Sequence, residues 1–292
     1  MGEAKSVCPV CRGTIWQRCK ELEKIARPVA GPHIVRCEGC GLRRIDPMPS
    51  QDQLRSIYED DQLKHAYAAE GGETVYVSGD NDVLQHVKDR FALLERLAGK
   101  PGRILDIGAA QGAFLAHARS RGWEVAGLEF SEEGRSLASQ QFGLSLQAVP
   151  VVDAGFEPDT FDAVNMSHVL EHVPDLEATL MEIHRVLRPD GLFCVEVPNE
   201  FDDLFEKTRE VFLRRSREQY AVPTPHTYFF TPQTLPRLLR NFSFKTEHFA
   251  TPRRNASVAS AWFLGKQVRS AIFGFERLLQ KGPLIEVIAR KL

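Results

Sequence analysis

The chain has 292 residues, of which 43% are hydrophobic and 26% are charged, as in ordinary soluble globular proteins. The net charge of −2 gives no argument for or against nucleic acid, but from Asp203 onward there are sixteen Lys and Arg and only seven Asp and Glu. No apolar run approaches the roughly 18 residues that cross a bilayer, and the first residues lack the pattern of a secretory signal. We therefore expect a cytoplasmic protein.

Four of the six cysteines form two Cys-x-x-Cys pairs, Cys8 with Cys11 and Cys37 with Cys40. In a chain without an export signal thiols stay reduced, so metal ligation is favoured over disulfides. Together the pairs supply the four thiolates of a closed tetrahedral zinc site, which leaves no open position for a catalytic water. We predict a structural zinc ribbon over residues 1–50, with chance pairing or a redox dithiol as the alternatives.

Residues 51–79 are predicted to form a linker with one short helix, which begins at a capping box formed by Ser50 and Gln53. Strand and helix patterns then alternate over residues 80–292, which predicts a doubly wound α/β domain with ligands at the carboxyl ends of its strands. A helix over 81–98 comes first. The predicted strands are 103–107, 124–130, 144–149, 161–167, 192–198, 243–251 and 282–292, with helices over 113–122, 131–143 and 175–187.

The segment RILDIGAAQGAF, residues 103–114, predicts a strand, a glycine-bearing turn and the start of a helix. A dinucleotide turn needs a glycine at the position of Ala110, and a P-loop needs a lysine after Gly112; neither is present. Glu129 ends the second predicted strand, where a carboxylate can accept hydrogen bonds from both hydroxyls of a ribose. The turn and Glu129 together predict a ligand that has a ribose but no phosphate.

These segments, with FDAVNMSHVLEHVPDLEATLMEIHRVLRPDGLFCVEVPN and HTYFFTPQTL, resemble in order and spacing the class I S-adenosylmethionine-dependent methyltransferases. The branch with ubiquinone-type and glycan O-methyltransferases is the most similar, and the cysteine module resembles the zinc domain of some sugar methyltransferases. The resemblance implies a seven-stranded Rossmann-like sheet. It also implies a cofactor site for S-adenosylmethionine that contains Asp106, Gly108, Ala109, Gly112, Glu129, Asn165, Met166 and Ser167, with Asp153 at the adenine edge.

The resemblance implies methyl transfer, and a hydroxyl acceptor then needs a base that removes its proton. The candidate catalytic bases are His168, His172 and His226. A further hypothesis is a second divalent metal at His168, Glu171, His172 and His226, as in methyltransferases with E-x-x-E-H and a later histidine; here histidine replaces the first glutamate. We expect O-methylation of a sugar, glycan precursor or related small molecule. The alternative is an RNA methyltransferase that binds nucleic acid through the zinc ribbon and the basic carboxyl-terminal region.

Residues 255–281 are predicted to form a helical insertion before the last strand, with Val268 and Ile272 on its apolar face. This helix is expected to cover the substrate cleft or to pair two subunits in a homodimer. The alternative is a basic amphipathic helix that contacts an anionic membrane. Arg253 and Arg254 are candidates for binding the diphosphate of a nucleotide-sugar acceptor.

Overall fold

The computed structural model describes residues 7–26, 33–50, 53–54, 56, 85–201, 225–253, 273–276 and 278–292. Most of the predicted linker and of the predicted helical insertion lies outside these residues, as does Arg254. Within them the strands form two sheets, one of four strands and one of six. No helix in this part of the chain is long and apolar enough to span a bilayer.

The smaller sheet lies beside the two cysteine pairs. Its amino-terminal strands pair antiparallel in the order β1 (Trp16–Arg18), β2 (His33–Cys37) and β3 (Arg43–Asp46), and helix α1 (Lys20–Ala26) lies between β1 and β2 in the chain. A tight turn joins β2 to β3, in which the Gly41 amide donates to the Cys37 carbonyl at 2.9 Å. The second cysteine pair therefore closes the β2–β3 hairpin.

The larger sheet is built from alternating strands and helices. In chain order its strands are β4 (Arg103–Ile107), β5 (Glu124–Leu128), β6 (Phe161–Ser167), β7 (Leu187–Pro198), β9 (Phe244–Ala250) and β10 (Leu284–Lys291). The helices are α2 (Gln85–Ala98), α3 (Ala113–Ser120), α4 (Glu132–Phe142), α5 (Leu176–Val186) and α6 (Thr234–Asn241). The strand order is β5-β4-β6-β7-β10-β9, with the first four parallel and β10 antiparallel to both of its neighbours. The predicted doubly wound α/β class is confirmed.

The strand predicted over 144–149 is reduced to one residue, so the described sheet has six strands rather than seven. Gln147 forms an isolated bridge to Leu128, and its amide and carbonyl pair with the Gly127 carbonyl and the Glu129 amide. Gly143 ends helix α4 in a left-handed conformation just before this segment, and Pro150 follows it. The extended segment is therefore too short to continue the ladder.

Local signals in the sequence predict the ends of two helices correctly. Ser131 caps α4, because its hydroxyl oxygen accepts a hydrogen bond from the Gly134 amide at 3.1 Å. Ser50 and Gln53 form the predicted capping box, with reciprocal amide-to-side-chain bonds of 2.8 and 3.2 Å.

The two sheets are joined through strand β8 (Tyr228–Phe229), which belongs to the smaller sheet and pairs with β3. Cys8, Val10 and Leu42 pack in the same hydrophobic cluster as residues of β6 and β7. The side-chain amide of Asn241, at the end of α6, donates to the carbonyls of Pro9 and Val10. The cysteine ribbon thus shares both its sheet and its core with the second predicted domain.

Helix α2 places a buried cation, Arg90, in the core beside strands β6, β7 and β10. Its guanidinium lies 3.5 Å from the Glu196 carboxylate and 3.9 Å from that of Glu286, and it donates to the Asn165 side-chain oxygen at 2.8 Å. Glu196 and Glu286 stand directly opposite each other in the β7–β10 register. Two buried carboxylates at such a pair repel each other, so the cation between them stabilises the register.

Replacement of Arg90 tests this buried pairing. Arg90→Met leaves two buried carboxylates without this cation, and we expect a loss of about 3–5 kcal/mol in the free energy of unfolding. Arg96→Met, at an exposed position on the same helix, should change it by no more than about 0.5 kcal/mol. Urea denaturation of both variants is the measurement. Equal stability of the two would contradict the role given to Arg90.

Candidate functional site

A strained turn follows β4. The next strand in the chain, β5, lies on one side of β4, and the strand after it, β6, lies on the other side. Gly108, Ala110 and Gly112 all adopt left-handed backbone conformations, with φ of 74°, 47° and 78°. A Cβ on Gly108 would lie 2.2 Å from a methyl carbon of Val169, so only glycine is accommodated there. In open α/β sheets this switch point is where ligands bind.

Glu129 holds the turn from the adjacent strand end. One carboxylate oxygen accepts from the Ala110 amide at 2.8 Å, and the other accepts from the Ser131 amide at 2.7 Å. A Cβ on Gly134 would lie 3.2 Å from Glu129 Cγ, so the start of α4 packs closely against this side chain. Glu129, the residue predicted to bind the ribose, is therefore held in place at the carboxyl end of β5, beside the glycine turn.

A polar cavity opens under the turn. It is lined by His86, Arg90, Asp106, Gly108, Asn165 and Glu196, among others. The Asn165 side-chain amide donates to Asp106 at 2.6 Å. Burial raises the pKa of Asp106 to about 7, although this hydrogen bond and Arg90 act in the opposite direction. Two carboxylates and one guanidinium thus meet at a single buried crevice.

The structure separates the predicted cofactor residues into groups. Ala109 and Ser167 line the cavity together with Asp106, Gly108 and Asn165. Met166 packs in the hydrophobic core, since alternate residues of a strand lie on opposite faces. A Cβ on Gly112 would lie 2.6 Å from Leu144 Cδ1, so this glycine allows close packing. Asp153 is exposed at the end of a one-turn 3-10 helix.

Three of the four residues predicted for a second metal meet just beyond β6. Ligand atoms of Glu171, His172 and His226 lie within 4.8 Å of one another. The Glu171 carboxylate is 1% exposed, and in the described part of the chain neither of its oxygens receives a hydrogen bond. The fourth residue, His168, places Nδ1 at 3.7 Å from that carboxylate. The rings of His172 and His226 contact each other edge to face, with centroids 4.6 Å apart.

The two contacting imidazoles have opposite electrostatic environments. Burial, together with the neighbouring His226, lowers the pKa of His172 to about 3, so this ring is neutral at physiological pH. His226 Nδ1 lies 2.7 Å from a carboxylate oxygen of Glu200. Burial opposes the charged form of His226, but Glu200 outweighs it and raises the pKa. His226 is therefore the stronger proton acceptor of the pair.

Glu196 connects the cavity to this histidine cluster. One of its carboxylate oxygens lies 3.2 Å from the Ser167 hydroxyl, which donates to it, and 3.7 Å from His168 Nε2. The His168 amide donates to the Glu196 carbonyl at 2.9 Å, and His168 has a φ of 55°. A non-glycine residue in this left-handed region is uncommon and is found at functional sites.

The four predicted metal-ligating cysteines meet at the turns of the ribbon. Cys8 and Cys40 have their sulfurs 3.6 Å apart, those of Cys11 and Cys37 are 3.4 Å apart, and all four lie within 4.8 Å of one another. A tetrahedral site with Zn–S bonds of about 2.3 Å has sulfurs about 3.8 Å apart. A Cβ on Gly39 would lie 2.9 Å from the Cys11 sulfur, so the chain passes very close to the cluster.

Three residues of the site are absent from the sequence prediction. Arg90 lies on the apolar face of α2, and Glu196 interrupts the apolar strand LFCVEVP. A charged residue at a core position is the sequence feature that could have identified both. Glu200 carries no comparable signal.

Arg253, a candidate for binding a diphosphate, is instead held by Glu276 in two charge-assisted hydrogen bonds of 2.7 and 3.0 Å. That role for Arg253 is therefore not supported.

Comparisons with known proteins agree on one family. Residues 80–248 match the family model described as a methyltransferase domain. A sarcosine/dimethylglycine N-methyltransferase from Halorhodospira halochloris is 31% identical over 197 residues, which are 61% of this chain and 69% of that protein. The C-methyltransferase NovU from Streptomyces niveus is 29% identical over 195 residues, 60% of this chain. The match covers only 41% of NovU, so the chain spans less than half of this relative.

The structural comparison finds the same fold. The Burkholderia thailandensis 1,6-didemethyltoxoflavin-N1-methyltransferase, solved with bound 1,6-didemethyltoxoflavin and S-adenosylhomocysteine, superposes with a TM-score of 0.57 and 19% identity. The superposition covers 87% of this chain and 96% of that one. At this identity the likeness concerns the arrangement of strands and helices, and it does not identify an acceptor.

Proposed function

The chain belongs to the methyltransferase family, and we propose that this S-adenosylmethionine-dependent methyltransferase methylates a hydroxyl group with His226 as the base. The acceptor class that we propose is a sugar, a glycan precursor or a related small metabolite. The observation that carries the proposal is the 2.7 Å contact between His226 and Glu200. The cluster that contains them is connected to the polar cavity through His168 and Glu196. His168 and His172 remain near this base as neighbours of Glu171.

The residues of the crevice suit the cofactor. The turn 108–112 has no lysine and no dinucleotide fingerprint, whereas Glu129 can hold a ribose. Asp106 and Glu196 place carboxylates in the cavity, which favours a cationic ligand over an anionic one. When bound, S-adenosylmethionine supplies an electrophilic methyl group on a sulfonium. Asn165 and Ser167 are the proposed contacts of its amino-acid end.

His226 has the environment of a general base. The Glu200 carboxylate can only accept, so the proton of the imidazole is on Nδ1, and Nε2 is the atom that takes a proton from an acceptor. A pKa of about 3 makes His172 too weak for this task. An amine acceptor that is already neutral needs no such base, whereas a hydroxyl does. A carbon acid also needs a base and is the second candidate acceptor, favoured by the likeness to a C-methyltransferase.

A divalent metal is the second candidate role for the histidine cluster. The observation that favours it is the buried Glu171 carboxylate, which receives no hydrogen bond within the described residues and has two imidazoles close by. Metal ligands from Glu171, His172 and His226 would leave positions open for acceptor hydroxyls. We propose zinc for the cysteine cluster, where the sulfur separations and the all-thiolate donor set suit a structural ion.

Metal analysis distinguishes the two sites. We expect one zinc per chain by elemental analysis, lost in Cys40→Ser and kept in His172→Gln, because the thiolates alone hold it. If His226 acts as a base, methyl transfer should persist in a chelator that leaves this zinc in place. Activity that is lost in the chelator and restored by a divalent ion would instead assign the metal role to the histidine cluster.

Glu129 tests the cofactor site. Glu129→Gln weakens the charged acceptor for the ribose hydroxyls and for the turn, so we expect the affinity for S-adenosylhomocysteine to fall by about tenfold or more. Glu132→Gln, an exposed change at the start of α4, should leave it unchanged. Isothermal titration calorimetry measures both. Equal affinity of the two variants would exclude Glu129 from the site.

Transfer of labelled methyl groups from S-adenosylmethionine across pooled nucleotide sugars, glycans and total RNA tests the acceptor and the base together. We expect an oxygen-linked methyl on a sugar-containing acceptor; label on RNA alone would favour the nucleic-acid alternative.

The rate of methyl transfer should fall with decreasing pH as His226 is protonated, with its midpoint above the ordinary histidine pKa of about 6.5. Glu200→Gln removes the carboxylate that raises this pKa, so the half-maximal pH should move down, whereas the exposed change Glu157→Gln should not move it.

A further inference from the structure

We propose that the cysteine ribbon is a positioning element of the acceptor site, because its strand β3 holds the loop that carries His226. The proposal deepens the proposed function, since it takes His226 as the base. It assigns the ribbon a role inside the enzyme rather than that of a separate module for binding nucleic acid. Three sets of contacts carry it.

The first set of contacts is made by Thr227, the residue after His226, which is fully buried. Its amide and its hydroxyl both donate to the Glu171 carbonyl, at 2.7 and 2.8 Å. Its own carbonyl accepts from the amide of Ile45 in β3 at 2.9 Å. Thr227 thus ties the His226 loop to the turn that carries Glu171 and His172 on one side, and to the ribbon on the other.

The second set is a hydrophobic cluster between the ribbon and the segments that carry Glu200 and His226. Ile34 and Ile45 of the ribbon pack with Phe201 and Phe229, whose rings are 5.2 Å apart. Phe201 directly follows Glu200, and Phe229 lies three residues after His226. The two chain segments that bring Glu200 and His226 within 2.7 Å of each other are therefore both anchored in the ribbon core.

The third set connects this anchor to the cysteine cluster. Strand β3 pairs with β8 on one side and with β2 on the other, and Cys37 is the last residue of β2. The Cys37 amide donates to the Leu42 carbonyl at 2.8 Å, which closes the hairpin at the cluster. A metal held by the four cysteines would order this end of the hairpin. Order at the cysteines therefore extends through β3 to His226.

Among the described residues, the hydrogen bonds of the cofactor residues do not involve the ribbon. Asp106 accepts from Asn165, and the Gly108 amide donates to the Leu128 carbonyl. Glu129 accepts from the turn and from the start of α4. Disturbing the ribbon core should therefore displace His226 from His172 while cofactor binding is retained. This separation makes the proposal testable without knowledge of the acceptor.

The experiment compares Ile34→Ala and the milder Ile34→Val, which truncate a buried side chain of the ribbon itself, with Phe156→Ala, which removes a ring that packs on Phe161 outside the ribbon cluster. Histidine ring resonances are observed by NMR in protein labelled at histidine and saturated with S-adenosylhomocysteine. The signals are assigned by their loss in His172→Gln and His226→Gln. Calorimetry with S-adenosylhomocysteine gives the affinity of each variant.

We expect the cross-relaxation between the rings of His172 and His226 to decrease in Ile34→Val and to decrease further in Ile34→Ala. Phe156→Ala should keep it. The affinity for S-adenosylhomocysteine should stay within about twofold in all three, since distant sites act independently. An unchanged cross-relaxation in both Ile34 variants overturns the proposal, and if Ile34→Ala does not fold, Ile34→Val alone decides. Failure of the unaltered protein to bind S-adenosylhomocysteine would contradict the proposed function instead, while the ring contact still reports on the ribbon.

Discussion

The arrangement of the site depends on a buried cation, Arg90, placed by helix α2 between carboxylates of two paired strands. Without it Glu196 and Glu286 would face each other across β7 and β10 in a region that excludes water. The same guanidinium holds Asn165, which in turn holds Asp106 at the floor of the cavity. One ion network therefore sets the strand register and orients the polar groups that line the crevice.

The two halves of the site are stabilised in different ways. The proposed cofactor half is local: a glycine turn and the start of α4 are held by their backbone amides to one carboxylate from the next strand. The proposed acceptor half is assembled from segments distant in sequence, with Thr227 between the Glu171 turn and strand β3. This division agrees with how methyltransferase domains can share a cofactor site and differ in acceptor.

The features that the sequence predicts well are those with short-range causes. The turn at 108–112 and the cap at Ser131 follow from a few adjacent residues, and the pairing of two Cys-x-x-Cys turns follows from their shared chemistry. Arg90 and Glu196 could not be paired in advance, because their contact joins positions 106 residues apart. The contact of His226 with Glu200 likewise depends on β8 joining the ribbon sheet. The strand predicted over 144–149 is reduced to a single bridge at Gln147. The apolar pattern of this segment does not indicate how many of its residues pair with the neighbouring strand.

The central claim is that the crevice beyond β4 and β5 binds S-adenosylmethionine, with Glu129 on the ribose. A crystal structure of the complex with S-adenosylhomocysteine tests it most directly. We expect both ribose hydroxyls to contact Glu129 and the amino-acid end to lie beside Asn165 and Ser167. Ligand bound elsewhere on the protein, with this crevice empty, would contradict it.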